Sequence, residues 1–237
     1  MFTIPRKLIN ENNKEYSYRV IKGAIMSLEL KPGQAISEIE VAEALQISRT
    51  PIREVMAKLR EENLVEVRPQ IGTYVTKIDP RLIEEAAFMR YTLEREVLKL
   101  SCEDFSVEYL FELKKIVSLQ ERMSEAEGNA LEFHELDNQF HRTIFQGNQK
   151  ENVWKAIIRL STHYNRIRLL SEIEHRYDLA IEQHKEIIKI IESKQVNKVD
   201  EFVRNHILEP TKNWEVLYAK DSPYTDYFDY THKMPVF

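Results

Sequence analysis

Apolar residues recur at helical spacing in three segments of the first third of the chain, and each segment predicts a short helix. Ser37 and Glu40 form the pattern of a capping box, so the second helix begins there and ends near Gln46. Pro51 is tolerated only in the first turn of a helix, which places the start of the third helix between Ser48 and Pro51. The three predicted helices are Tyr18–Leu28, Ser37–Gln46 and Ser48–Arg60.

Two short alternating stretches follow the third helix and predict a hairpin. Apolar and polar residues alternate in Leu64–Val67 and again in Thr73–Thr76. Pro69–Gly72, between them, has the composition of a turn. Three helices followed by a two-stranded hairpin are typical of a winged helix-turn-helix, so we predict this fold for residues 1–77.

The third predicted helix has an apolar edge and an arginine edge. At 100° per residue, Arg49, Arg53 and Arg60 fall within about 40° of one another beside the apolar stripe. A helix divided in this way suits the major groove of DNA, where base edges and phosphates are read by basic side chains. A helix-turn-helix used only for protein contacts is the alternative. The apolar stripe consists of Ile52, Val55, Met56 and Leu59.

Residues 78–237 are predicted to form a separate helical domain. Asp79 and Pro80 are a cap followed by a proline at the first helical position, so a new helix begins there. Apolar residues then recur at helical spacing to about residue 220, which predicts a six-helix antiparallel bundle and a mainly α fold class. The six predicted helices are 80–101, 105–126, 130–146, 150–171, 176–194 and 197–219.

Four polar residues lie on apolar faces of this predicted bundle, where burial must be compensated. Asp137 and His141 share a face of the third helix, and His184 and His206 interrupt the apolar stripes of the fifth and sixth. One carboxylate and three imidazoles suit a divalent metal such as Zn²⁺ or Ni²⁺. A metal-free hydrogen-bonded cluster is the alternative. Three other histidines do not fit the pattern and are predicted to be solvated: His134, His163 and His175.

Arg90 is a second polar residue in an apolar stripe, and two interpretations of it stay open. It could form an ion pair with Glu94, four residues later on the same helix. Alternatively it could face a cavity and hold a carboxylate, for which the two-pronged guanidinium is suited. On the fourth predicted helix, Ser161, Asn165 and Arg168 share an apolar face and are candidates for the same pocket.

Charge and composition narrow the class of protein. The formal net charge is −5 at pH 7, yet the first 78 residues carry a slight excess of basic over acidic residues. A weakly positive N-terminal region can bind phosphates, because the local placement of basic side chains matters more than the net charge of the whole chain. No apolar run approaches the ~18 residues of a membrane span, and no signal-peptide core is present. These features predict a cytoplasmic protein without a membrane partner.

Residues 17–77 resemble the DNA-binding domain of the GntR family of bacterial regulators, most specifically in the run SRTPIRE at 48–54. The resemblance implies a double-stranded DNA operator as partner. Ile39 departs from members that carry a base-reading arginine there, so the operator sequence cannot be transferred. The implied DNA-contacting residues are Ser48, Arg49, Thr50 and Arg53, with Gly72 at the tip of the wing near the minor groove.

The helical domain resembles the FCD-type ligand-binding domain of the FadR branch of this family. The segments DNQFH at 137–141, EQHKEII around His184 and VRNHI around His206 match in order and approximate spacing. The resemblance implies a metal at Asp137, His141, His184 and His206, and favours a carboxylate-binding role for Arg90. It further implies a homodimer on a palindromic operator, acting as a repressor. A small carboxylate would then act on DNA binding through the linker at 77–81.

Two other functions remain as alternatives to this regulator. One is a metal-dependent enzyme with a DNA-binding appendage, against which stand the lack of an HExxH motif and of a general base beside the ligands. The other is a regulator whose metal is purely structural. The aromatic tail from Asp221 is expected to pack on its own bundle or on a partner subunit, with a lid over a ligand as a further option.

Overall fold

A computed structural model describes residues 2–124, 130–208, 211 and 214–233 of the chain. The chain divides into two compact units. The first unit runs to Pro80 and also contains Lys220–Lys233, whereas the second unit is Arg81–Ala219. No helix among the described residues has both the length and the apolar composition that crossing a membrane would require.

The first unit contains three helices and a small sheet around one apolar core. Val20, Ile25, Ile52 and Leu59 are among its fully buried side chains. The helices α2 and α3 are joined at Gln46, whose left-handed backbone (φ 55°) gives the sharp turn between them. In chain order the elements are α1 (Asn13–Met26), β1 (Ala35–Ile36), α2 (Glu38–Leu45), α3 (Arg49–Glu61), β2 (Val65–Arg68) and β3 (Gly72–Val75).

The predicted cap at Ser37 and the predicted hairpin are present, with one strand that the pattern did not indicate. The Ser37 side chain accepts a hydrogen bond from the Glu40 backbone N–H at 3.3 Å, which begins α2 at the predicted residue. β2 and β3 pair antiparallel, with Val65 opposite Val75. β1 pairs with the other edge of β3, giving the order β1-β3-β2. Two residues are too short a strand to show an alternating pattern.

The aromatic tail belongs to the first unit. The backbone of Ile78 pairs with the tail in a parallel bridge: its N–H donates to the Tyr227 carbonyl at 2.8 Å, and its carbonyl accepts from Asp229 at 2.9 Å. The Phe228 side chain between these bonds is only 1% exposed. The tail was expected on the helical bundle or a partner subunit. Its described residues up to Lys233 instead group with the winged helix-turn-helix.

The second unit is helical throughout its described residues, so the predicted fold class is confirmed. The predicted helix at 150–171 is broken at Ser161 into two, although neither proline nor glycine marks the break. Among the described residues, the region predicted as one helix at 197–219 contains a short 3-10 turn (Val196–Lys198) and the helical segments Val199–Ile207 and Trp214–Tyr218. The helices are α4 (Pro80–Glu103), α5 (Val107–Ser124), α6 (Ala130–Gly147), α7 (Glu151–Leu160), α8 (Thr162–Glu174), α9 (Asp178–Glu192), α10 (Val199–Ile207) and α11 (Trp214–Tyr218).

Candidate metal centre and cavity

Three imidazole rings from three helices meet inside the second unit. His141 of α6, His184 of α9 and His206 of α10 each place a potential ligand atom within 4.8 Å of the other two. His141 and His184 are almost completely buried, with 2% and 0% of the residue exposed. The Nε2 atoms of His141 and His206 are 3.3 Å apart. The sequence pattern had indicated these three residues, and the structure brings them together.

An oxygen atom lies against the Nδ1 atom of each ring, and this fixes what the other ring nitrogen can do. Carboxylate and amide oxygens only accept hydrogen bonds, so each Nδ1 carries a proton and Nε2 is the ring nitrogen left for a metal. The three Nε2 atoms face one region. The Nδ1–oxygen pairs are His141 with Glu94 Oε2 at 2.6 Å, His184 with Gln120 Oε1 at 2.8 Å and His206 with Gln183 Oε1 at 2.9 Å.

This arrangement fits a divalent metal ion. The Nε2 atoms of His141 and His206 are 3.3 Å apart. Two imidazole nitrogens bound to the same tetrahedral zinc lie at about the same separation, about 3.3–3.4 Å, because each Zn–N bond is about 2.0–2.1 Å. Burial lowers the pKa of His206 to about 3 and moves that of His184 well below its usual value. The rings of His184 and His206 are therefore neutral near pH 7, which is the form that binds metals.

Asp137 lies at the edge of the three imidazoles. Its Oδ1 is 3.5 Å from His184 Nε2, and its Oδ2 is 3.8 Å from His141 Nε2. Arg168 Nη1 forms an ion pair with Oδ2 at 2.8 Å. Burial alone would raise the pKa of Asp137, but the charge of Arg168 holds that pKa below its ordinary value. The carboxylate is thus ionised beside the cluster, as a fourth ligand would be.

Both interpretations of Arg90 find support in its geometry. Its Nε donates to Glu94 Oε1 at 2.6 Å, so the ion pair between the two residues is present. The guanidinium carbon also lies 5.0 Å from the ring centroid of Tyr164 and 5.9 Å from that of Trp154. Arg90 is 1% exposed and lines a cavity, yet its Nη2 has no hydrogen-bond partner among the described residues. A buried cation thus keeps one nitrogen whose hydrogen bonds are not satisfied among the described residues.

The cavity beside the imidazoles encloses about 170 Å³. Since one water occupies about 30 Å³ in the liquid, a space of this size suits a small organic molecule with roughly the bulk of benzene. Phe133 and Tyr177 stack in its wall, with ring centroids 4.1 Å apart. Arg90, Asp137 and Arg168 supply charge, His141 and His206 supply imidazole, and Tyr164 and Trp214 supply further aromatic surface.

The other candidate polar residues of this region lie in places that the sequence did not indicate. Asn165 is buried with its Oδ1 unpaired among the described side chains, and it is not part of the cavity lining. His134 and His163 were predicted to be solvated, and this was wrong, since they are 6% and 2% exposed. His134 pairs with Glu172, and the distance from His134 Nδ1 to Glu172 Oε2 is 2.6 Å. His175 is exposed, as predicted.

The side chains predicted to contact DNA share the surface of the first unit at α3 and the wing. Ser48 is the residue that caps α3, and its side chain makes no capping hydrogen bond. Arg53 is exposed and forms an ion pair with Glu38 at 3.3 Å, and Gly72 begins β3 with a φ of 151°. The recognition helix therefore presents its arginine edge to solvent. All five predicted positions are exposed: Ser48, Arg49, Thr50, Arg53 and Gly72.

Comparisons with known proteins agree with this division of the chain. Residues 15–75 match the family described as bacterial regulatory proteins, gntR family, and residues 85–209 match the FCD domain. The chain is a GntR-family transcriptional regulator. The predicted resemblance is confirmed, and the interpretation as an enzyme with a DNA-binding appendage is set aside. We call the first unit the DNA-binding unit and Arg81–Ala219 the FCD unit.

Relatives of this GntR-family regulator match it over most of their length. An HTH-type transcriptional regulator in an unstable DNA locus of Streptomyces ambofaciens is 30% identical over 196 residues, covering 82% of each chain. The HTH-type transcriptional repressor RspR of Escherichia coli K12 is 26% identical over 207 residues, covering 86% of this chain and 90% of RspR. Among solved structures, McbR/YncC of E. coli superposes with a TM-score of 0.75 at 19% identity, covering 87% of this chain and 98% of that one.

Proposed function

We propose that this GntR-family regulator is a cytoplasmic repressor that binds a palindromic operator as a homodimer. In this proposal the FCD unit holds one divalent metal, zinc or nickel, together with a small carboxylate effector. The observation that carries the metal assignment is the convergence of three Nε2 atoms from rings whose Nδ1 atoms are each held by an oxygen. The similarity to the repressor RspR supports the direction of regulation.

The metal ligands in this proposal are three imidazoles and one carboxylate: His141, His184, His206 and Asp137. Such a set suits Zn²⁺ or Ni²⁺, which both accept imidazole together with carboxylate oxygen. A bound ion would add positive charge and a coordination position for an anionic ligand. Arg168, 2.8 Å from Asp137, keeps that carboxylate charged, and the oxygens at each Nδ1 keep the rings oriented.

The cavity supports a small carboxylate as the effector class in this proposal. Arg90 presents a buried guanidinium nitrogen without a hydrogen-bond partner among the described residues, which a carboxylate oxygen would satisfy. The volume of about 170 Å³ limits the remainder of the effector to a few heavy atoms. The stacked rings of Phe133 and Tyr177 favour an apolar or planar body over a strongly hydrated one. Asn165, predicted as a second effector-binding residue, would act on the ligand only indirectly, because it is outside the cavity lining.

DNA recognition in this proposal rests on the exposed edge of α3 and on the wing. Arg49 and Arg53 would reach bases or phosphates, with Ser48 and Thr50 beside them at the start of the helix. A two-fold dimer presents two such helices, which is why the operator is expected to be palindromic. The effector must bind the DNA-competent and incompetent arrangements with different affinities, since otherwise it would shift nothing.

Metal analysis of protein purified without added metal or chelator tests the proposal. We expect about one zinc or nickel per wild-type chain, almost none in His184→Ala, and the wild-type amount in His175→Ala, the exposed matched control. Small carboxylates are then screened by thermal shift, because a ligand that binds only the folded state raises its Tm.

Each failure of this test has its own meaning. Wild-type protein without metal, together with a His184→Ala variant that folds equally well, would end the metal assignment and leave Arg90 as the basis of the pocket. Metal-loaded protein that a chelator unfolds, and that responds to no carboxylate, would favour a purely structural metal.

A further inference from the structure

One carboxylate contacts both the imidazole cluster and the guanidinium of Arg90. Glu94 Oε1 accepts a hydrogen bond from Arg90 Nε at 2.6 Å, and Glu94 Oε2 lies 2.6 Å from His141 Nδ1. Glu94 is itself only 7% exposed. Burial would raise the pKa of Glu94, but the charge of Arg90 and the contact with His141 hold it below its ordinary value. The same charged group thus orients a candidate metal ligand and a candidate effector anchor.

We propose that Glu94 is a positioning residue through which the metal centre and the carboxylate-binding corner of the cavity are coupled. Its Oε2 fixes the His141 ring so that Nε2 faces the other imidazoles. Its Oε1 fixes the Arg90 guanidinium so that Nη2 is left for the ligand. This inference rests on the proposed function, because it assigns a role within the same site.

The choice of acceptor at each ring supports this role. The amide oxygen of Gln120 accepts from His184, and that of Gln183 accepts from His206. Each glutamine has only one oxygen atom as an acceptor. Glu94 meets two donors, Arg90 Nε–H and His141 Nδ1–H. A glutamine in the same position would place its amino group, which is itself a donor, against one of these two donors. The single carboxylate among the three acceptors therefore stands where two hydrogen bonds must be accepted.

Coupling between the two ligands follows from this shared group. A metal that holds His141 also holds Glu94, and Glu94 in turn holds Arg90 in the orientation that a carboxylate needs. The reverse holds equally, since the coupling free energy between two binding sites is reciprocal. Direct contact between metal and effector would add its own coupling, and that part does not depend on Glu94.

The test compares two variants that each remove an acceptor from one imidazole. Glu94→Gln removes the acceptor shared by His141 and Arg90, and Gln120→Met removes the acceptor of His184 alone. For each protein we would measure zinc affinity by competition with a chromogenic chelator, and then the affinity of the zinc-saturated protein for acetate. Acetate is used as the simplest carboxylate probe.

Both variants are expected to lose about 10–100-fold in zinc affinity, as when the hydrogen-bond partner of a ligating histidine is removed. At saturating zinc, Glu94→Gln is expected to bind acetate at least about fivefold more weakly than wild type, the lower end of typical couplings. Gln120→Met should bind it within about twofold of wild type. Glu94→Asp keeps the charge but is one methylene shorter, so it should also lose affinity for both zinc and acetate. This variant tests the coupling if Glu94→Gln does not fold.

The outcomes separate this inference from the proposed function. Wild-type protein that binds neither zinc nor acetate refutes the proposed function, and the coupling with it. Wild-type protein that binds both, with Glu94→Gln and Glu94→Asp retaining normal acetate affinity at saturating zinc, leaves the proposed function intact and overturns only the role of Glu94.

Discussion

Phe228 is the residue whose replacement tests most directly how the aromatic tail is held. Its side chain is 1% exposed, and it sits between the two backbone hydrogen bonds that join the tail to Ile78. Truncating a buried phenylalanine to alanine costs about 3–5 kcal/mol. Since each 1.4 kcal/mol is a factor of ten, detachment of the tail should become roughly 10²- to 4 × 10³-fold more frequent in Phe228→Ala.

Amide hydrogen exchange on the full chain measures this local opening. The amides of Ile78 and Asp229 donate the two bonds of the bridge, so both should exchange faster by that factor in Phe228→Ala. Tyr230→Ala is the matched control, because Tyr230 is 37% exposed and its loss should cost less than about 0.5 kcal/mol. Unchanged exchange in Phe228→Ala, or an equal effect of Tyr230→Ala, would show that the Phe228 ring does not hold the tail.

Three further predictions concern DNA binding and helix packing. Arg49→Ala and Arg53→Ala should each weaken operator binding, as measured by fluorescence anisotropy at several salt concentrations. Loss of one arginine–phosphate contact should lower the magnitude of the slope of log K against log salt by about 0.9. Unchanged slopes would argue against phosphate binding by these side chains. Gly147→Ala should destabilise by about 1–3 kcal/mol in urea unfolding, since the new Cβ would collide with the Phe105 ring. A Cβ added at Gly23, in the last turn of α1, would meet nothing within 4 Å, so Gly23→Ala should stabilise by about 0.5 kcal/mol, and a decrease in stability there would contradict the packing.

Local patterns predicted the DNA-binding unit well because its signals lie within a few residues of each other. The cap at Ser37 and the apolar stripe of α3 are of this kind, and both are present. The break at Ser161 had no such signal, because the chain on either side continues to read as one amphipathic helix. A helix break without proline or glycine depends on what the two halves pack against, which local spacing does not contain.

The candidate site divides in the same way. His141, His184 and His206 could be found because each interrupts an apolar stripe on its own helix. Their Nδ1 acceptors could not be assigned, since the partners come from elsewhere in the fold, and the pair of His184 and Gln120 is 64 residues apart in sequence. A weak signal existed for Gln120, which is fully buried on the same face of α5 as Ile116 and Val117. A polar residue on an apolar face indicates a buried hydrogen bond, but the sequence does not show which residue is the partner.

The tail that pairs with Ile78 also has a consequence for biosynthesis. All of Arg81–Ala219 must be translated before the chain that completes the DNA-binding unit exists. At typical bacterial elongation rates this interval is on the order of ten seconds, during which the emerging helix-turn-helix lacks the strand partner of Ile78. A nascent or prematurely terminated product would therefore carry an incomplete DNA-binding unit.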